Sequence, residues 1–425
     1  VIHLPHPPDE VVVTGVGVVS PIGTGREPFW GSLIQGTSGV RPIRQFDASP
    51  MPVRIAGEVL DFQPAAYVSK RKSLKLMSRD AQFGVAASTL ACHDARIARG
   101  TIDPDRFGVV LGADRISLDL DECEPTYRAC LVGRQFDFSR WTDGMAKTFP
   151  LLFLKVLPNM IASHVAIEHD ARGPNNTMHQ GELSGLLAVS EACRTIQRGA
   201  ADAMIVGGAS SQINPFDWIR HCATGGLSRR QDDPADVLRP FDARRDGQVW
   251  GEGAGALVLE SRRHAEARGA EIRARVLACV TTWQPTAVAD ARPGQGLAHT
   301  IAEALRRAGV APAELGHINA NGLSTVDDDR LESLALANAV PDIPVFAPKS
   351  YFGNLGAAAG AVEIAASVLA LESGLVPATL NYRQPDPECP VRPIAGEPFL
   401  ARSATALTIN WTRMGQATVV VLAGP

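Results

Sequence analysis

GPNNTMHQGELSGLLAVSEACRTIQRGAADAMIVGG, Gly173–Gly208, is the stretch on which the fold turns. It reads as extended chain, a tight turn, a long amphipathic helix and a buried strand. Leu183, Leu186, Leu187, Val189, Ala192, Cys193 and Ile196 recur at helical spacing. Ala203–Val206 is a short apolar strand, and Gly207-Gly208 reads as the turn that ends it. Outward from here the chain repeats one plan. Val11–Val18 opens a first half as an apolar strand, and Ile272–Val280 opens a second. Ala254–Leu259 closes the first half, while Ala404–Asn410 and Thr418–Leu422 close the second. Strands alternating with helices predict α/β layers with sheets covered on both faces.

Five further strings flank this stretch in order. They are VVVTGVGVVSPIGTG (Val11–Gly25), VLPNMIASHVAIEHDARGP (Val156–Pro174), RPFDARRDGQVWGEGAGALVLESRRHAEARGAEIRARV (Arg239–Val276), HINANGLSTVDDD (His317–Asp329) and PKSYFGNLGAAAGAVE (Pro348–Glu363). Together they resemble the β-ketoacyl-ACP synthases, the condensing enzymes of fatty acid and polyketide synthesis. The resemblance runs over nearly the whole chain. It implies a thiolase-like α/β fold of two fused similar halves in five α/β/α/β/α layers. The N-terminal half is placed at 1–262 and the C-terminal half at 263–425, with the join near Ser261–Ala265.

The chemistry departs from the resemblance at three points. Where the family carries its nucleophilic Cys, this chain has Glu182. Where the family reads Asn-Ala-His-Gly, this chain has Asn319-Ala320-Asn321-Gly322. The second histidine, of Lys-Ser-x-x-Gly-His, is Asn354. Lys349 and Glu363 stand at positions that support the site in the family. A carboxylate is a poor substitute for a thiolate as acyl carrier. The two Asn amides keep N–H donors and lose the proton shuttling of imidazole. Glu182 is expected at a helix N-terminus deep in the fold. Three roles are open for it: a cap bonded to Asn321 and Asn354, a new general acid or base, or part of a ligand sensor. The family's C-terminal gating loop is also altered, reading Asn410-Trp411-Thr412-Arg413-Met414-Gly415-Gln416. Arg413 and Gln416 replace flexible Gly positions, so the loop should be harder to move.

At 425 residues and net charge −4, the chain gives no general reason to expect nucleic acid or a membrane surface. No apolar run approaches the ~20 residues of a span, and VIHLPHPPDE does not read as a signal peptide. Seven scattered cysteines without a Cys-x-x-Cys pair fit buried thiols of a cytoplasmic protein. No cofactor and no metal are expected. His164, His169 and His179 lie near Glu182 in sequence without metal-ligand spacing, and Asp327-Asp328-Asp329 is read as the cap of a helix Asp329–Val340. Asp114–Pro150 fits the resemblance least well.

Lys70, Arg71, Lys72, Lys75 and Arg79 cluster before an apolar helix. The resemblance makes this segment, with Arg230, the docking site for the acidic helix of acyl carrier protein. It also implies a homodimer, or a heterodimer with an active ketosynthase. The expected function is a non-condensing ketosynthase homologue of fatty-acid or polyketide-type metabolism, similar to a chain-length factor. The alternative is an enzyme performing hydrolysis, dehydration, decarboxylation or acyl transfer on an acyl thioester through Glu182. An acyl-carrier-binding scaffold is a third reading.

Overall fold

A computed structural model describes residues 9–116, 120–284 and 293–425. The first half contributes β1 (Val11–Ser20), β2 (Phe107–Ala113), β3 (Asn175–Met178), β4 (Ala203–Ser210) and β5 (Gly253–Ser261). They lie side by side as β1-β5-β4-β2-β3. The second half contributes β6 (Ala274–Trp283), β7 (His317–Asn319), β8 (Pro344–Phe346), β9 (Thr405–Trp411) and β10 (Gln416–Ala423). Their order is β6-β10-β9-β7-β8. In both halves the first, fifth and fourth strands pair antiparallel, and the fourth, second and third pair parallel. One permutation with one set of directions is thus used twice. The halves join where β1 pairs antiparallel with β6, through Val11↔Val276, Val12↔Arg275 and Val13↔Ala274.

Strands β1, β2, β4 and β5 are buried along their whole length. That is the reason they read as continuous Val- and Ala-rich runs rather than alternating ones. Helices cover both faces. α1 (Arg79–Asp94) lies against β1, β4 and β5, and α3 (Gln295–Ala308) lies against β6 and β10. Between the sheets sit α2 (Ser184–Gln197) and α5 (Ala359–Ser373), packed on each other and each touching strands of both halves. These are the five layers. The apolar segment Gly356–Ser373 is long enough by composition to cross a membrane, contrary to the expectation from sequence, but it is mostly buried in the protein. A helix apolar on all sides has this central layer as its place.

Two further expectations are corrected. Gly207 and Gly208 do not form a turn; they continue β4 to Ser210. A Cβ on Gly207 would meet Gly255 O at 2.0 Å, and one on Gly208 would meet Ala357 O at 2.1 Å. The glycines are there for close backbone approach. The helix expected at Asp329–Val340 is α4 (Val326–Ala339), so the three aspartates lie in its first turn and do not cap it. Thr325 is the N-cap.

Candidate functional site

Each half feeds its third strand through a short 3₁₀ turn into its central helix. In the first half this is Gly181–Leu183, before α2. In the second it is Gly356–Ala358, before α5. Glu182 sits in the first of these turns. It is half-buried rather than deep, and it does not cap α2. The end of that turn is held instead by Ser184 Oγ, which accepts from Gln180 N at 2.8 Å.

Asn354 Nδ2 donates to Glu182 Oε1 at 2.8 Å and to Gln248 Oε1 at 2.9 Å. Its own Oδ1 accepts from Gly356 N at 3.1 Å. Both N–H donors of the amide are therefore used, and its oxygen is engaged. Asn321 is not a partner of Glu182. Its Oδ1 accepts from Lys349 Nζ at 2.9 Å and from Asn410 Nδ2 at 3.3 Å. Lys349 also pairs with Glu363, whose other oxygen takes Asn410 Nδ2 at 2.7 Å. All four of these side chains are buried. Among the described residues Asn321 Nδ2 meets no acceptor. The sequence-named residues thus divide into two sets: Glu182 with Asn354, and Asn321 with Lys349 and Glu363.

Burial pushes the Glu182 carboxyl above its ordinary pKa, against the Lys349 charge and the Asn354 hydrogen bond, which favour the anion. Behind Asn321, Glu332 accepts from the N–H groups of Asn321 at 2.7 Å and Gly322 at 2.9 Å. Burial raises Glu332 to about 7 and its neighbour Asp329 to about 8. Asp329 takes Phe241 N at 2.8 Å and Ser324 N at 3.0 Å, so it ties α4 to the preceding chain.

Glu182 opens on a cavity of about 540 Å³. Asp114, Arg115, Gln180, Gln212, Arg220 and His221 share its wall, and Thr412, Met414 and Gln416 close one side. Those last three belong to the altered loop, a tight hairpin between β9 and β10 in which Thr412 N meets Gln416 O at 2.9 Å. Trp411 is buried within β9, and Met414 is exposed. Arg413 pins the hairpin by pairing with Asp328, and with Asp327 at 3.6 Å. Gln416 Oε1 accepts from Gln180 at 3.0 Å. Two of the aspartates read as a cap are therefore the anchor of this loop.

Sequence reasoning passed over Arg115, Arg220 and His221. Arg115 is the second residue of the divergent segment Asp114–Pro150, of which 117–119 lie outside the described residues. Arg220 and His221 lie on the helix Pro215–Thr224, remote in sequence, with no motif to mark them. The nearby histidines are ordinary hydrogen-bonded groups: His179 Nδ1 to Ala113 O at 2.9 Å, His164 Nε2 to Leu76 O at 3.2 Å, and His169 Nε2 to Thr89 Oγ1 at 3.4 Å. Cys193 is buried with its Sγ 4.0 Å from Cys279 Sγ.

Two family models match, "Beta-ketoacyl synthase, N-terminal domain" over residues 8–265 and "Beta-ketoacyl synthase, C-terminal domain" over residues 273–383. The chain belongs to the beta-ketoacyl synthase family. A curated relative, the 3-oxoacyl-[acyl-carrier-protein] synthase 2 of Synechocystis sp., is 36% identical over 392 residues, 91% of each chain. The ishigamide ketosynthase/chain length factor superposes with a TM-score of 0.86 at 30% identity, covering 98% of this chain and 100% of that one. A type II PKS acyl-carrier protein in complex with its ketosynthase bound to the hexaketide supplies a second structural likeness. Its TM-score is 0.80 at 29% identity, over 98% of this chain and 100% of that one. The thiolase-like ketosynthase fold holds over the full described chain.

Of the basic cluster, Lys70, Arg71, Lys72 and Lys75 are exposed around the 3₁₀ turn Arg71–Leu76. Arg79 is not part of that face. It turns inward to Glu252 at 2.6 Å and lies over the Phe83 ring at 4.7 Å. Arg230 is exposed, with Asp246 at 3.6 Å.

Proposed function

We propose that this chain is a non-condensing ketosynthase homologue of fatty-acid or polyketide-type metabolism, acting as partner subunit to an active ketosynthase and binding acyl carrier protein. The observation that carries it is the Glu182–Asn354 hydrogen bond at 2.8 Å, at the positions where the family resemblance implies Cys and His. A carboxylate bound to an amide holds no acyl group as a thioester, and an amide moves no proton. The cytoplasm is the compartment this reading implies. The pairing of a ketosynthase with a chain length factor in one structural relative, and of a ketosynthase with an acyl-carrier protein in another, supports the choice of partners. Strand β3, at the edge of the sheet, and the exposed Phe138, Phe153 and Ile167 offer a surface for dimerisation. The exposed Lys70, Arg71, Lys72 and Lys75, with Arg230, offer the surface for an acidic carrier.

The test is incubation with acyl- and malonyl-carrier proteins, alone and with an active ketosynthase, followed by intact-protein mass spectrometry. The chain alone is expected to form no β-ketoacyl product, and its formation overturns the reading. Reversing charge at Lys70, Arg71 and Lys72 is expected to weaken carrier binding most at low salt. A second reading, Glu182 as acid or base on an acyl thioester, draws on the raised Glu182 pKa and the cavity in front of it. Thioester turnover that Glu182→Gln abolishes would select that reading; no turnover in either form selects the first.

A further inference from the structure

Away from Glu182, two thiols from different halves of the chain face each other. Cys193 lies on α2 and Cys279 on β6, and the two elements pack together. Their Sγ atoms are 4.0 Å apart, although 86 residues separate them along the chain. A disulfide holds its sulfurs about 2.05 Å apart, so closure asks for only ~2 Å of movement between side chains already in contact. Cys193 is buried and Cys279 is partly exposed. A pocket of about 210 Å³ is lined by both. Strand β6 is bulged here: its register to β10 slips at Leu277, between Val276 and Ala278, and all three residues line the pocket. A bulge bends its strand and re-aims the side chains beside it. Arg194 and Arg307 line the same pocket, and among the described residues no acidic side chain does. Glu303, the partner of Arg307 at 2.7 Å, is shared with Arg306. Cations beside a sulfur favour the thiolate, which is the form that reacts. The hydrogen bond with Cys279, and then burial, push the Cys193 thiol well above its ordinary pKa. Cys193 therefore keeps its proton, and the more exposed Cys279 is the sulfur that meets what enters the pocket.

We propose that Cys193 and Cys279 form a thiol modification site, which a hydroperoxide oxidises to a disulfide strapping α2 to β6. Cys279, as thiolate, attacks a peroxide oxygen. The S–O bond forms, the O–O bond breaks, and the leaving oxygen takes up the proton that Cys279 released. The Cys193 sulfur then attacks Cys279 Sγ: the S–S bond forms, the S–O bond breaks, and the hydroxyl leaves as water with the Cys193 proton. Two thiols are oxidised by two electrons and one peroxide is reduced. The strap fixes the helix that follows the Glu182 turn against the first strand of the other half. To test this, the full reduced chain is treated with hydrogen peroxide, denatured, alkylated with N-ethylmaleimide before and after dithiothreitol, and mapped by peptide mass spectrometry. A Cys193–Cys279 linked peptide is expected, with two alkylated thiols lost and both recovered by dithiothreitol. The urea midpoint of the oxidised chain should rise above that of the reduced chain, because the bond closes a long loop. Cys279→Ser should abolish both effects. Cys193→Ala should leave a sulfenic acid at Cys279 that dimedone traps. A linked peptide that forms only after denaturation overturns the proposal, as does oxidation confined to Cys222, the other partly exposed cysteine. A linked chain with an unchanged urea midpoint overturns the strap. Dimedone capture at Cys193 in the Cys279→Ser chain overturns the order of attack. Should Cys193→Ala not fold, the peptide map of the parent and of Cys279→Ser still decides.

Discussion

The turns Gly181–Leu183 and Gly356–Ala358 are the same device used in the two halves, and they end in opposite states. Both begin on a glycine with left-handed φ, 55° at Gly181 and 53° at Gly356. Both lead into a helix of the central layer. At Gly356 a Cβ would meet Asp114 Oδ2 at 2.2 Å, and the next N–H, from Ala357, is already given to that carboxylate. At Gly181 a Cβ would meet nothing within 4 Å. The second-half turn is buried, with Gly356 N given to Asn354 Oδ1 at 3.1 Å, and of its three residues Gly356 alone reaches the Glu182 cavity. The first-half turn holds Glu182 against an open cavity. A duplicated scaffold thus separates two demands: one copy supplies rigidity and the other supplies a reachable polar group.

The contrast makes ordered predictions. The largest effect belongs to the buried Lys349–Glu363 pair. Lys349→Met leaves Glu363 as an unpaired buried carboxylate and is expected to cost about 3–5 kcal/mol in denaturant unfolding. Glu182→Gln is expected to stay within about 1 kcal/mol, because one half-buried hydrogen bond can be rebuilt by the amide. Similar losses for the two would break the comparison.

The next effect is in pH. Glu332 and Asp329 have folded pKa values of about 7 and about 8, above their ordinary 4.5 and 3.8. The folded chain therefore holds protons that the unfolded chain has released. Their contribution to stability is fully present below about pH 4 and is lost as pH rises toward about 8. Glu332→Gln should flatten the fall between pH 4.5 and about 7, by about 3 kcal/mol at most. Urea midpoints across that range read it. Glu182→Gln should flatten the profile less, and a larger change there would move the proton load to the open side.

The smallest effect sharpens the turn comparison itself. Gly181→Ala carries only the cost of a left-handed residue, about 1–2 kcal/mol. Gly356→Ala adds the collision with Asp114, about 1–3 kcal/mol more. Thermal midpoints of the two variants should differ accordingly, and equal shifts would remove the distinction.

Much of the fold was legible because its cause is local. Strands buried on both faces must be continuously apolar, and Val11–Ser20 and Gly253–Ser261 are. Gly207-Gly208 was misread because glycine signals a turn by itself, whereas here it answers to Gly255 and Ala357, which only tertiary structure brings near. At the site, the places of Glu182, Asn321 and Asn354 were legible from their motifs. Their division was not, since it depends on which of two carboxylates, Glu182 or Glu363, lies within reach of each polar set. Arg115, Arg220 and His221 were invisible for the same reason. They share a wall that no spacing along the chain records.

Strand β1 carries one more consequence. It begins at Val11, yet its long-range neighbours are β5, from Gly253, and β6, from Ala274. During synthesis the earliest strand waits, paired only at Val19 and Ser20 with Thr24 and Gly23, until most of the chain has been made. A fragment ending before Gly253 leaves ten buried residues of β1 without either partner strand. The N-terminal half is thus not a unit that can close early, and its assembly is governed by loop closure over some 240 residues, a slow kind of topology. The seam that welds the two halves is also the timer for the first.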